Sequence, residues 1–419
     1  MQYPLPWPAF CTITRTVMPD QKTLTYRPQL DGLRFIAVFG VLFYHYSGWL
    51  RTLKLPFTVE MGTFISFFFV LSSYLITTIL LTNKHRNQSK GEIAYNFLAR
   101  RTLRIFPAYY FYLLILLLLP YAGHDVHEHP ISYFFYLSNF RTYFGQIWDN
   151  LTSHLWTLAV EEQFYIAWLW VILVIKDKYL PALLYTIIAA GILFRILFFV
   201  LHPGAADETV PMVILTPACM DSFAFGALLA YQHFYNKTSI PLLKKIFAFI
   251  VPLWITLILT HQRLILLGFD RVFMSIGTMI LIEGANRGYT NRFGAFLQHK
   301  WITYLGKISY GIYLYHLLIP FVFWKLYNLS TARLLSRHIS LTPLTEILVN
   351  PVVSFLLYFT LTVLFASASW YFLESPISKL KRHFNYRSRK HPEEPLIFPA
   401  SIDTGSRSLQ KVSPQNKLS

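Results

Sequence analysis

Repeated apolar stretches of membrane-spanning length constrain this chain of 419 residues more than any motif does. A helix of about 20 apolar residues crosses a bilayer core of about 30 Å. Ten stretches approach that length: Leu33–Leu50, Gly62–Leu81, Ile105–Pro120, Leu155–Ile175, Leu180–Leu201, Met212–His233, Ile246–His261, Leu264–Glu283, Ile302–Trp324 and Leu348–Phe372. The shorter ones require tilt or local thinning of the bilayer. Only "HQR" divides the seventh from the eighth. Residues are 54% hydrophobic and 14% charged, too little charge for two or three soluble domains of this total length. The expected fold is all-α, a polytopic membrane bundle of about ten helices.

Charge distribution orients such a bundle. With Lys307 counted to the inner end of its span, 27 lysines and arginines fall on one side and 7 on the other, while Arg34, Arg195 and Arg271 stay within spans. Both termini are therefore expected in the cytoplasm. The net charge of +17 sits between spans, not on one soluble face, which argues against nucleic acid as a partner. Two cysteines, Cys11 and Cys219, supply neither a disulfide framework nor a thiolate metal site. The first seventeen residues hold three prolines and lack a signal peptide's pattern, so the first span reads as an uncleaved anchor and Met18 as an alternative start. The organisation expected is a cytoplasmic tail at 1–25, a membrane domain at 26–382 and a disordered basic and polar tail at 383–419.

Three constellations carry chemistry. In "DGLRFIAVFGVLFYHY", Arg34 and His45 are eleven residues apart. Eleven steps of about 100° leave roughly 20° after three turns, so both side chains share one helix face, about 16 Å apart along the axis. Each alone reads as an interfacial anchor or a member of an aromatic belt. In "FLARRTLRIFPAYY", Arg100, Arg101 and Arg104 anchor the inner mouth of the third span. Arg101 and Arg104, one turn apart, also present forked donors suited to phosphates. In "HLWTLAVEEQFY", Glu161 and Glu162 stand about two turns into the fourth span. Adjacent carboxylates there are costly unless they are paired or line a wet cavity, so function is the stronger reading. Their side chains diverge by about 100°, and which of them faces His45 stays open.

Other clusters carry less. The loop "GHDVHEHP" has three histidines without metal-ligand spacing, and no metal is expected there. Arg195, Asp270 and Arg271 read as structural partners between helices.

Taken in order, "YRPQLDGLRFIAVFGVLFYHY", "SFFFVLSSYLI", "RRTLRIFPAYY", "HLWTLAVEEQFY", "MDSFAFGALLAY", "LGKISYGIYLYHLLI" and "WYFLESPI" resemble the acyltransferase-3 family of bacterial integral-membrane O-acyltransferases. The resemblance covers roughly Tyr26 to Arg382. It implies a ten-helix core, an inner-membrane location, an acyl-CoA donor with acetyl as the common case, and functional roles for Arg34, His45, Arg101 and Arg104. The chain departs from the family pattern at "GTFISFFFVLSS", which has no acid and has Ser73 in place of a glycine, and at Thr157, where a serine is usual. It shows no soluble hydrolase-like domain of the kind some members carry, so the membrane part is expected to complete the transfer.

The chemistry expected follows from these positions. Arg101 and Arg104, with Arg34, hold the phosphates of acyl-CoA at the cytoplasmic mouth. The thioester reaches up towards His45, which deprotonates a carbohydrate hydroxyl because imidazole titrates near neutral pH. Glu161 or Glu162 orients the ring or stabilises its cation. The rival reading is a transporter or flippase of a glycan precursor, against which stands the lack of an internal repeat.

Overall fold

The computed structural model describes residues 26–47, 61–86, 88–119, 122–202, 214–260, 263–335 and 342–384. All of these except Tyr26 belong to one compact unit, Arg27–Lys390. The expected tail at 1–25, with Cys11 and Met18, and the tail from 385 onward lie outside the described residues. The described residues form helices and no strand.

The first helix, α1, spans Pro28–Tyr46, with Pro28 at its first turn, where a missing N–H costs nothing. It begins earlier than expected, so Asp31 lies inside it together with Arg34. α2 spans Met61–Lys84 and α3 spans Lys90–Leu118. The expected third span began only at Ile105, after the arginines. The structure instead caps α3 with Ser89, whose side chain accepts from the Glu92 N–H at 3.2 Å, and the helix runs from Lys90 through the arginines and Pro107 without a break. At about 1.5 Å per residue, its 29 residues exceed a bilayer core, so its first turns project beyond it.

Three short helices follow, α4 (His124–Glu128), α5 (Pro130–Phe134) and α6 (Ser138–Gly145), then α7 (Leu155–Val174), α8 (Leu180–Leu201), α9 (Thr216–Phe234), α10 (Ile240–Leu259) and α11 (Arg263–Arg287). The expected ninth span, Ile302–Trp324, is not one helix. Past α12 (Arg292–Gln298) the chain forms α13 (Lys300–Lys307), α14 (Ser309–Tyr315) and α15 (Leu318–Leu335). Irregular backbone at membrane depth is tolerated where protein buries it or a cavity borders it, and α14 meets both conditions. α16 (Thr342–Val349) precedes α17 (Pro351–Ser369), which Asn350 caps at Val352 N and Val353 N. A π-helical turn, Trp370–Glu374, then leads through α18 (Ser375–Ser378) to a last turn, Lys379–His383.

Six helices among the described residues are long and apolar enough to cross a membrane: α2, α3, α7, the α8 region, α10 and α17. The other expected spans are the broken α13–α15 and the helices that carry charge within them: α1 with Asp31 and Arg34, α9 with Asp221, and α11 with Asp270 and Arg271.

Lipid is as apolar as leucine, so helices associate through close packing and polar contacts. At Gly226 of α9, a Cβ would overlap the Val70 carbonyl of α2. Ser73 of α2 donates to the Phe223 carbonyl at 2.5 Å, which accounts for a serine at that departure from the family pattern. Phe223 stacks between Phe69 and Phe164, with centroids 4.6 and 4.1 Å away. Arg195 and Asp221, both fully buried, pair at 2.6 Å, and the guanidinium also donates to the carbonyls of Ala218 and Gly268. Trp254 donates to Asp270 at 2.7 Å. Arg195 and Asp270 thus tie helices together.

The segment α4–α6 caps the α3–α7 end of the bundle. Asp125 is its pivot, buried, paired with Arg141 at 2.8 Å and accepting from Tyr133 at 2.6 Å. Burial and the Asp125 carboxylate push the Tyr133 hydroxyl well above the ordinary tyrosine range. His124 and Glu128 of the same histidine-rich stretch are exposed.

Candidate active site

α1, α2, α3, α7 and α14 enclose a cavity of about 100 Å³. Its polar wall is made by Arg34, Arg101, Arg104, Glu161, Glu162, Ser72, Thr157, Tyr165, Ser309, Tyr310 and Tyr313, and Ile65, Phe68, Phe69, Leu75, Ile105 and Leu158 complete it. Five of the six residues given chemical roles in the sequence therefore border one space. His45 is not among them.

Arg34, Arg101 and Glu161 are each held by named partners. Arg34 pairs with Asp31, one turn before it, at 2.6 Å. Arg101 lies 5.0 Å from the ring centroid of Tyr165 and 5.7 Å from that of Phe97, between two aromatic faces that attract a guanidinium. Arg104 sits fourteen residues into α3, about 21 Å from its start, yet keeps exposed surface because it borders the cavity. Glu161 accepts from Tyr165 at 2.7 Å and from Ser72 at 3.3 Å. Glu162 is buried, and its Oε1 has no protein hydrogen-bond partner. The sequence left open which glutamate faces the site. The cavity wraps around α7 far enough for both to border it, on the arginine side.

His45 stands near the far end of α1, about 16 Å along the axis from Arg34. Its ring centroid is 4.8 Å from that of His316, which is 5.1 Å from that of His154. His316 Nδ1 bonds the Tyr313 carbonyl at 2.5 Å, and His154 Nε2 bonds the Leu314 carbonyl at 3.0 Å. The other nitrogen of each of these two buried rings has no protein partner. No group of three or more ligating side chains able to hold a metal occurs among the described residues.

Tyr313 joins the two regions. It borders the cavity, shares a 2.7 Å hydrogen bond with Thr157, donates to the His154 carbonyl at 3.1 Å, and its ring lies 5.5 and 5.6 Å from His316 and His154. Thr157, the other departure from the family pattern, thereby takes part in the link. Sequence reasoning assigned no role to Tyr313 or His316, because "SYGIYLYHLL" reads as the middle of an unbroken span. A histidine deep in an apolar run, preceded by Gly306, Ser309 and Gly311, was the available signal.

A family model described as an acyltransferase domain matches residues 27–371. The chain is 30% identical over 384 residues to a peptidoglycan O-acetyltransferase OatA of Listeria monocytogenes, covering 84% of this chain and 56% of that protein. It is 28% identical over 380 residues to an O-acetyltransferase OatA of Staphylococcus aureus, covering 84% and 57%, and 27% identical over 407 residues to a putative O-acetyltransferase of the same species, covering 89% and 61%. The chain thus spans less than two thirds of the length of each. No solved structure is a significant match.

Proposed function

Because the chain belongs to the acyltransferase-3 family, we propose that it is a membrane O-acyltransferase that moves an acyl group, acetyl in the first instance, from cytoplasmic acyl-CoA to a hydroxyl of a cell-envelope carbohydrate at the bacterial inner membrane. Peptidoglycan is the first acceptor to test, since one relative is named for it. The observation that carries the reading is the shared cavity of three arginines and two glutamates, joined by Tyr313 to the histidines beside His45.

In this reading Arg101 and Arg104, with Arg34, hold the phosphates of the donor. The pantetheine arm runs past Tyr313 and carries the thioester towards His45. An acceptor hydroxyl entering from the outer side loses its proton to the His45 imidazole as its oxygen attacks the thioester carbonyl. The C–O bond forms, the C–S bond breaks, and the proton passes to the departing thiolate. Glu161 and Glu162 keep the arginines apart and oriented. This arrangement asks ten spans of the bundle, with both termini in the cytoplasm, a reading that the charge distribution supports.

The test is transfer of radiolabelled acetyl from acetyl-CoA by the purified protein in liposomes, with and without an envelope glycan extract. Label in the glycan with the wild type, and its loss with His45→Ala, is the expected result. Absence of thiol release with every extract and donor would return the chain to the transporter reading, since a transporter consumes no thioester.

A further inference from the structure

The cavity's arginines belong to a larger group of cations. The last described turn, Lys379–His383, lies beyond the residues that the family model matches. It is fastened to α3 by Arg100, whose Nη1 donates to the carbonyls of Lys381 and of Phe384, each at 3.1 Å. Lys381 Nζ bonds Ser378 Oγ at 3.0 Å and is half-buried. Its side chain stands on a turn that packs against α3, the helix of Arg100, Arg101 and Arg104, and that follows one buried carboxylate, Glu374. The π-helical turn places that carboxylate inside, where Ser369 donates to it at 3.0 Å.

Four cations near one carboxylate repel one another, and the bonds just named hold Arg100 and Lys381 in place while the Phe97 and Tyr165 rings hold Arg101. Repulsion fixed in this way favours an anion of more than one charge. The donor proposed above carries one at its outermost end, the 3′-phosphate monoester of its nucleotide, while the diphosphate enters with the arm. Building on that proposed reading, we infer that Lys381 is a further donor-binding residue, which takes the terminal phosphate monoester of coenzyme A and extends the Arg101–Arg104 site onto the C-terminal turn. An anionic lipid headgroup offers the same phosphate chemistry, so the test must separate the two sources.

Affinity is measured by calorimetry on the full chain in nanodiscs of phosphatidylcholine alone, with coenzyme A and with its 3′-dephospho form. Losing one charge-assisted contact should weaken coenzyme A binding to Lys381→Ala by about tenfold. The dephospho form should bind wild type and variant alike, and Lys381→Arg should restore most of the affinity. Equal weakening towards both ligands would overturn the assignment to the terminal phosphate. So would an effect that appears only when anionic lipid is added, which would give the site to a headgroup. Unchanged binding by Lys381→Ala, with binding lost in Arg104→Ala, would overturn the role of Lys381 and leave the donor reading standing. Unchanged binding in both variants would bring down the donor reading itself. Melting temperatures of the three variants within a few degrees of wild type identify any loss as a binding effect.

Discussion

Arg195 and Asp221 show what an ionisable residue in a span has to do when it does not serve chemistry. Both are fully buried, and the guanidinium spends its donors on the carboxylate and on two carbonyls of neighbouring helices. Removing one partner strands the other, at a cost of about 3–5 kcal/mol, whereas exchanging both for apolar residues of similar volume costs much less. Asp221→Ala should therefore lower the thermal unfolding midpoint in detergent sharply. The double variant Arg195→Leu with Asp221→Leu should recover most of the loss, and equal destabilisation of single and double variants would refute the pairing argument. The sequence announced that Arg195 needed a partner but could not name Asp221, because the pairing joins α8 to α9 and depends on how the helices are rotated. The same holds at the cavity. Arg34, Glu161 and Glu162 are legible as charges out of place in apolar runs, and Arg101 and Arg104 as forked donors at the mouth of one, whereas Ser72, Tyr165 and Tyr313, which hold or link them, look like ordinary span residues.

Helices differ in how much of them hydropathy reveals. α8 was legible to its ends, Leu180–Leu201, because lipid-facing leucines and isoleucines dominate it. α3 was read as starting only after its arginines, since apolarity ends where the helix does not. α14 was hidden inside an expected span, since a break between apolar segments leaves no polar gap. Close approach is what keeps the broken segment in place. At Gly306 of α13, a Cβ would overlap the Asp31 carbonyl of α1, the residue that pairs with Arg34. Overpacking typically costs about 1–3 kcal/mol, and here the obstacle is backbone that cannot swing aside. Gly306→Val should reduce the yield of monodisperse protein in size-exclusion chromatography and raise the KM for acetyl-CoA by displacing Arg34. Wild-type yield and KM together would show that α1 and α13 are free to separate.

At the level of the whole bundle, one face of α1 connects a cation-lined cavity to a histidine cluster, and α14 lies between them. The orientation expected from charge can be read with reporters fused after Ser419: a fluorescent protein should be bright, and alkaline phosphatase inactive. The opposite pattern would invert the bundle and put the arginines on the wrong side for a cytoplasmic donor. Binding and chemistry are assigned to places about 16 Å apart along α1, so they should separate in kinetics. The decisive measurement is thiol release from acetyl-CoA by wild type, His45→Ala and Arg104→Ala across a range of donor concentrations. His45→Ala should lose about 10²-fold or more in kcat with KM within about twofold. Arg104→Ala should raise KM about tenfold or more, as expected for the loss of a charged phosphate contact. If both variants instead change kcat and KM in the same proportion, the division between a binding cavity and a reacting histidine is wrong.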